Sequence, residues 1–112
     1  MPTARSLGLL IFLIAGLAVF TARADDDPTY HLVLKDHQFH PANIKVPAHK
    51  RVKLIVENQQ DMPAEFESFP LNREKVVTAH NKIVIYLSPM DPGTYKFFDD
   101  FHRDTKGTVT AE

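Results

Sequence analysis

Apolar and polar residues alternate with a period of two along most of this chain. From Arg51 to Asn58, Val52, Leu54 and Val56 fall on one face, while Arg51, Lys53, Ile55 and Glu57 fall on the other. An extended backbone sends successive side chains to opposite faces, so this segment reads as a half-buried strand. Tyr30, Leu32 and Leu34 alternate with His31, Val33 and Lys35 in the same way. Further short strands are predicted at Asn43 to Val46, Glu65 to Ser68, Lys75 to Val77, Asn81 to Leu87, Tyr95 to Asp99 and Gly107 to Ala111. Turn punctuation separates them: Phe39-His40-Pro41, Pro47-Ala48-His49-Lys50, the polar run Asn58 to Pro63, and the Pro-rich Ser88 to Gly93. Phe69 to Glu74 reads as irregular, with room for one helical turn. Short strands at near-regular spacing without a long helical period predict an all-β fold, a sandwich or barrel of seven or eight strands. The predicted core is Leu32, Leu34, Phe39, Ile44, Val46, Val52, Leu54, Val56, Phe66, Ile83, Ile85, Tyr95, Phe97 and Val109.

The first residues break this pattern. Arg5 is followed by an almost unbroken apolar run from Leu7 to Phe20 and by Ala22-Arg23-Ala24, a small-x-small cleavage site. This is the form of a secretory signal peptide, residues 1–24. The competing reading, a membrane anchor, wants a longer run, about 20 residues. A short acidic leader at 25–29 then precedes a single domain at 30–112. Removing residues 1–24 leaves 88 of the 112 residues, with 11 of the 13 Lys and Arg and all 14 Asp and Glu, a net charge of −3 with His neutral. No basic stripe is present to attract nucleic acid. The chain has no Cys, so an exported domain must be held by its core, and thiolate ligands are excluded.

The stretch Pro92-Gly93-Thr94-Tyr95-Lys96-Phe97-Phe98-Asp99-Asp100-Phe101-His102 carries the most information. A Pro-Gly turn launches an aromatic strand, and His102 follows three residues after Asp99. The segment resembles the last hairpin of the cupredoxins, in which the same turn and strand lead to a Cys-x-x-His ligand loop with a Met beyond it. Asp99 stands where that Cys would be, and no Met follows His102. Phe39-His40-Pro41-Ala42-Asn43-Ile44-Lys45-Val46 is similar to the opening of that fold, and Ala64-Glu65 stands where many cupredoxins carry their first copper His. The resemblance covers Tyr30 to Glu112 and implies a cupredoxin-like Greek-key β-sandwich.

A narrower resemblance adds Glu65-Phe66-Glu67-Ser68 and Leu71-Asn72-Arg73-Glu74-Lys75-Val76. These segments look like the periplasmic cupredoxin-like proteins that accompany ferrous-iron permeases. That resemblance implies a periplasmic location, and as partners an inner-membrane iron permease and a periplasmic iron-binding protein. The group usually reads Phe-Phe-Gly-Glu-Phe-His, whereas this chain has Asp99 for the Gly and Asp100 for the Glu.

Glu65 and Glu67 share one strand face. The implied topology brings them beside Asp99, Asp100 and His102, and these five residues are the candidate metal ligands. Carboxylates with an imidazole and no sulfur favour harder ions. Iron, as Fe(II) or Fe(III), comes first, with Cu(II) or Mn(II) as alternatives. Paired acids on an exposed strand face are commonly just solvated, and Arg73 or Lys75 is placed to neutralise them. His37 and His40, flanking Phe39, are a candidate peripheral Cu(II) or Zn(II) site. Ser68 and Ser88 lack a nucleophile-elbow context, and no glycine-rich phosphate loop occurs. If the chain catalyses anything, it is a ferroxidase-like step, and plain binding ranks above turnover. The competing readings are a copper protein for storage or electron transfer and a metal-free interaction module.

Overall fold

A computed structural model describes residues 26–112; the predicted signal segment lies outside the described residues. The described chain forms nine strands in two sheets. In chain order these are β1 (Thr29–Lys35), β2 (Gln38–His40), β3 (Asn43–Val46), β4 (Val52–Asn58), β5 (Ala64–Ser68), β6 (Arg73–Val77), β7 (Lys82–Leu87), β8 (Gly93–Asp99) and β9 (His102–Ala111). One sheet runs β2-β1-β4-β7, the other β3-β9-β8-β5-β6. β1 pairs parallel with β4 and β3 parallel with β9, and every other pairing is antiparallel. The sandwich is the expected all-β architecture. It has one strand more than expected because Phe39, read as part of a turn, sits in the three-residue β2 opposite Leu34.

Alternation decides which face each sheet buries. Leu32, Leu34, Val52, Leu54 and Val56 are 0% exposed on one sheet, and Phe66, Phe97 and Val109 are 0–1% exposed on the other. Burying a side chain of this kind contributes about 1.5–3 kcal/mol. The Phe97 ring meets Phe39 edge-on at 4.9 Å and stacks on Phe66 at 5.1 Å, tying the two sheets together. Of the predicted core, Ile83 and Tyr95 are only partly buried and pack against its border. Ala64, Val77, Leu87, Met90 and Ala111 complete the core.

β6 begins at Arg73, where an irregular segment was expected. Its register on β5 places Arg73, Lys75 and Val77 opposite Ser68, Phe66 and Ala64, so they share the inward face. At this sheet edge Arg73 Nε donates to the Tyr86 carbonyl at 2.9 Å and Lys75 Nζ to the Val84 carbonyl at 3.3 Å. Both cations therefore close the flank of the sandwich against β7. Before β1, Asp27 Oδ2 accepts a hydrogen bond from Arg51 Nε at 2.6 Å, and the Pro28 carbonyl accepts one from Lys53 N.

Three connections meet at one end of the sandwich: the β1–β2 turn, the β4–β5 loop and the β8–β9 turn. Asn58 organises that end. It is fully buried; its Nδ2 donates to the carbonyls of Met62, Val77 and Thr78, and its Oδ1 accepts from Gln60 N. Gln60 Oε1 in turn accepts from His37 N at 2.8 Å.

Candidate metal centre

β5 and β6 place three carboxylates together on the outer face of the five-stranded sheet. Glu67 lies directly opposite Glu74, and Glu65 is two residues along β5 on the same face. One carboxylate oxygen from each of Glu65, Glu67 and Glu74 lies within 4.8 Å of the other two. Like charges directly opposite on a ladder are destabilising, so this arrangement works against folding unless something neutralises it. No Lys, Arg or His nitrogen pairs with these three acids among the described residues. Arg73 and Lys75, the expected neutralising partners, sit on the opposite face of β6. Glu67 is only 9% exposed, and its Oε2 has no hydrogen-bond partner.

The electrostatics follow from this crowding. Removal from solvent comes first in raising the Glu65 carboxyl from 4.5 to about 6; hydrogen bonding with Glu74 and repulsion from Glu74, Asp100 and Glu67 add to it. A hydrogen bond between two carboxyls requires a proton on one of them. Glu67 is also raised, first by its removal from solvent and then by Glu74 and Asp100, with Arg103 opposing. A bound cation supplies what the proton supplies here, without the loss of donor atoms.

The five predicted ligands do not form one site. β8 ends on Asp99, which faces inward beside Phe66, and Asp100 follows in the turn, close enough to Glu65 and Glu67 to repel both. Asp100 stays near the acid cluster, with its backbone N donating to the Glu65 carbonyl at 2.9 Å. Its Oδ1 is held by Arg103, at 3.1 Å from Nε and 2.9 Å from Nη2. Asp99 is 0% exposed and ties two backbone segments together, because its Oδ1 accepts from Glu65 N and Phe101 N, both at 3.0 Å. His102 pairs with Asp99 across the two-residue β8–β9 turn and shares its side of the sheet. The outer cluster is thus Glu65, Glu67 and Glu74 with Asp100 at its rim, and Asp99 and His102 are separate from it.

Sequence reading missed Glu74 because β6 was started two residues late. The alternation Arg73-Glu74-Lys75-Val76-Val77 places Glu74 and Val76 on one face, which is the signal that finds it. The His37 ring lies against His102, with centroids 4.3 Å apart, so its imidazole partner is not the expected His40. A depression of about 530 Å³ lies farther along the outer face between Phe69, Phe98 and Gly107. Its charged lining is Lys96, Arg103 and Lys106, which gives it no cation chemistry.

With this geometry in hand, the family model described as the cupredoxin-like domain matches residues 7–111. The uncharacterized protein RP394 of Rickettsia prowazekii (strain Madrid E) is 38% identical over 101 residues, covering 86% of this chain and 81% of that one. Among solved structures, the metal-binding domain of the Cu(I)-exporting P-type ATPase CopA of Streptococcus pneumoniae D39 superposes with a TM-score of 0.67 at 15% identity, covering 75% of this chain and 84% of that one. Auracyanin from Roseiflexus castenholzii gives 0.65 at 13% identity, covering 77% and 98%. Amicyanin from Paracoccus versutus gives 0.59 at 16% identity, covering 78% and 82%. At these identities the structural likeness is one of fold. A thiolate-ligated copper centre does not fit these residues, because the chain has no Cys and Asp99 occupies the place of the thiolate.

Proposed function

Since the chain belongs to the cupredoxin-like domain family but offers carboxylates where a thiolate centre is impossible, we propose that it binds a hard cation, iron foremost, at Glu65, Glu67 and Glu74. In this reading the domain works in the periplasm as part of a ferrous-iron uptake system. It takes up iron there and passes it, with or without oxidation, to an inner-membrane permease alongside a periplasmic iron-binding protein. The observation that carries the reading is a triad of carboxylates without an ion-pair partner among the described residues, one of them mostly buried with an unpartnered oxygen.

With one oxygen each, three carboxylates leave half of an octahedral sphere to water or to a receiving protein. That suits an ion that must be passed on. Hard oxygen donors favour Fe(II), Fe(III) and Mn(II) and give no preference to Cu(I). Fe(III) gains more from three anions than Fe(II) does, so the site lowers the free energy of oxidation without itself storing an electron. Binding stabilises the fold by relieving the repulsion across β5 and β6.

Anaerobic calorimetric titration with Fe(II), repeated with Mn(II), tests the reading. Glu67→Gln and Glu74→Gln each weaken binding about tenfold or more, while His80→Ala leaves it unchanged, because His80 is exposed and bonded only to Asp61 at 2.6 Å. Equal affinities across the four proteins would dismiss the site.

A further inference from the structure

The depression of about 530 Å³ beside the acid cluster has the opposite chemistry. β8 and β9 supply most of its lining. Lys96 and Phe98 point outward from β8, since Phe97 between them is buried. The ladder puts Thr108 opposite Lys96 and Lys106 opposite Phe98. Arg103 holds its guanidinium 5.8 Å from the centre of the Phe98 ring. Asn43, opposite Thr108 on β3, accepts the Thr108 hydroxyl at its Oδ1 at 2.7 Å, which leaves its amide NH2 as a further donor. No Asp or Glu lines the depression. Of its three cations only Arg103 has an ion-pair partner among the described residues, Asp100 at 2.9 Å. Donors and cations without a carboxylate make an anion site.

Phe69 adds an apolar wall. It stands in the β5–β6 turn, 73% exposed, with its ring 5.6 Å from Phe98 and tilted by 56°. An exposed Phe forgoes the burial that would contribute about 1.5–3 kcal/mol. The two rings already touch, so a ligand covers them from outside and does not slide between them. Aromatic faces flanked by cations suit an anion carried on a flat apolar body.

The neighbouring row limits its size. Phe98 lies opposite Glu67, and Glu67 opposite Glu74, so Lys106, Phe98, Glu67 and Glu74 form one row across four strands, from cation to acid. Neighbouring strands are about 4.8 Å apart, which puts Lys106 only about 10 Å from Glu67 across the face. A nucleic-acid strand or an acidic protein segment crossing this face meets the acids. A compact anion with its charge at one end does not. The volume falls in the range of about 300–1,000 Å³ typical of small-molecule pockets.

We propose that this depression binds a small aromatic carboxylate, with Lys96, Lys106 and Arg103 on the carboxylate and Phe69 and Phe98 against the ring. The site stands on these residues whether or not the acid triad takes iron, so metal-free protein tests it.

The test is a 1H–15N NMR titration of the metal-free protein with 1-naphthoate. Shifts concentrate at Phe69, Lys96 to Phe98 and Arg103 to Thr108. The Lys96→Ala/Lys106→Ala double variant and Phe69→Ala each weaken binding about tenfold or more, and added salt weakens it further. Lys45→Ala leaves it unchanged, because Lys45 lies outside the depression and pairs with Glu112 at 3.8 Å. Acetate, which lacks the ring, and 2-naphthol, which lacks the carboxylate, each bind about tenfold more weakly or worse. A peptide of Asp and Glu around a single Phe also binds more weakly than 1-naphthoate. The proposal is overturned if 1-naphthoate causes no shifts or shifts elsewhere, or if either variant binds as wild type does. Equal binding of 2-naphthol would reduce the site to an apolar patch, equal binding of acetate to a basic surface, and tighter binding of the peptide would make it a protein-docking face; each of these also overturns it.

Discussion

Asn58→Ala removes the residue on which the site-bearing end of the sandwich depends. The side chain is fully buried. It donates to Met62 O at 2.8 Å, Val77 O at 3.2 Å and Thr78 O at 3.3 Å, and accepts from Gln60 N at 3.0 Å. A buried hydrogen bond contributes about 1 kcal/mol net, and a stranded buried partner costs about 1–3 kcal/mol. The two shorter bonds, with the longer donor contacts discounted, give a loss of about 3 kcal/mol. For a domain of this size that corresponds to a melting temperature lower by about 12–24 °C. Urea unfolding followed by circular dichroism reads the change directly, with an unaltered slope if only the native state is affected. The substitution also frees Gln60, whose Oε1 holds His37 N, so the β1–β2 turn loosens with it. A loss below about 1 kcal/mol would refute the reasoning, because it would mean that water replaces the amide in full.

In the metal-free protein the Glu65 contribution to stability is lost as pH rises from about 4.5 through 6, because Glu65 binds its proton more tightly in the fold, at about 6, than at its ordinary 4.5. Calorimetric melting across that window checks the sign, Glu65→Gln flattens the slope, and a melting temperature that rises with pH for this group refutes it. Gly107→Ala destabilises by about 3 kcal/mol or more, since a Cβ there overlaps the backbone oxygen of Ala42 and the ring of Phe97; chemical denaturation measures it, and a near-neutral result would show that β3 can move away from β9. Copper loading gives only a weak, pale Cu(II) spectrum, and an intense thiolate charge-transfer band in the visible would contradict a chain with no Cys.

Strands with a clean period of two were legible from the sequence because alternation and burial are the same fact seen twice. β4 buries Val52, Leu54 and Val56 as its pattern requires. The failures share a cause. Arg73-Glu74-Lys75 hides a strand behind charges, because at the sheet edge inward-facing cations find backbone carbonyls of β7 in place of an apolar core. Composition alone makes that segment look like surface loop. Only the register with β5 reveals that its inward face closes the sandwich and its outward face carries Glu74.

The site was legible by residue type but not by side. Five ligand-type residues were assigned to one centre because the implied topology sets the Glu65–Glu67 segment beside the Asp99–His102 loop. The end of β8 splits them: Asp99, the last strand residue, is buried, while Asp100 in the turn beyond stays half-exposed at the rim of the acid cluster. The split changes the chemistry available. Outside, three acids without an ion-pair partner offer hard oxygen donors, which suit iron or manganese. Inside, the Asp99 carboxylate serves the fold, its Oδ1 accepting from Glu65 N and Phe101 N. One strand end therefore gives its acids two kinds of work, backbone ties on the inner face and the crowded carboxylates on the outer, so a substitution at Asp99 is read in stability and one at Glu67 or Glu74 in metal affinity.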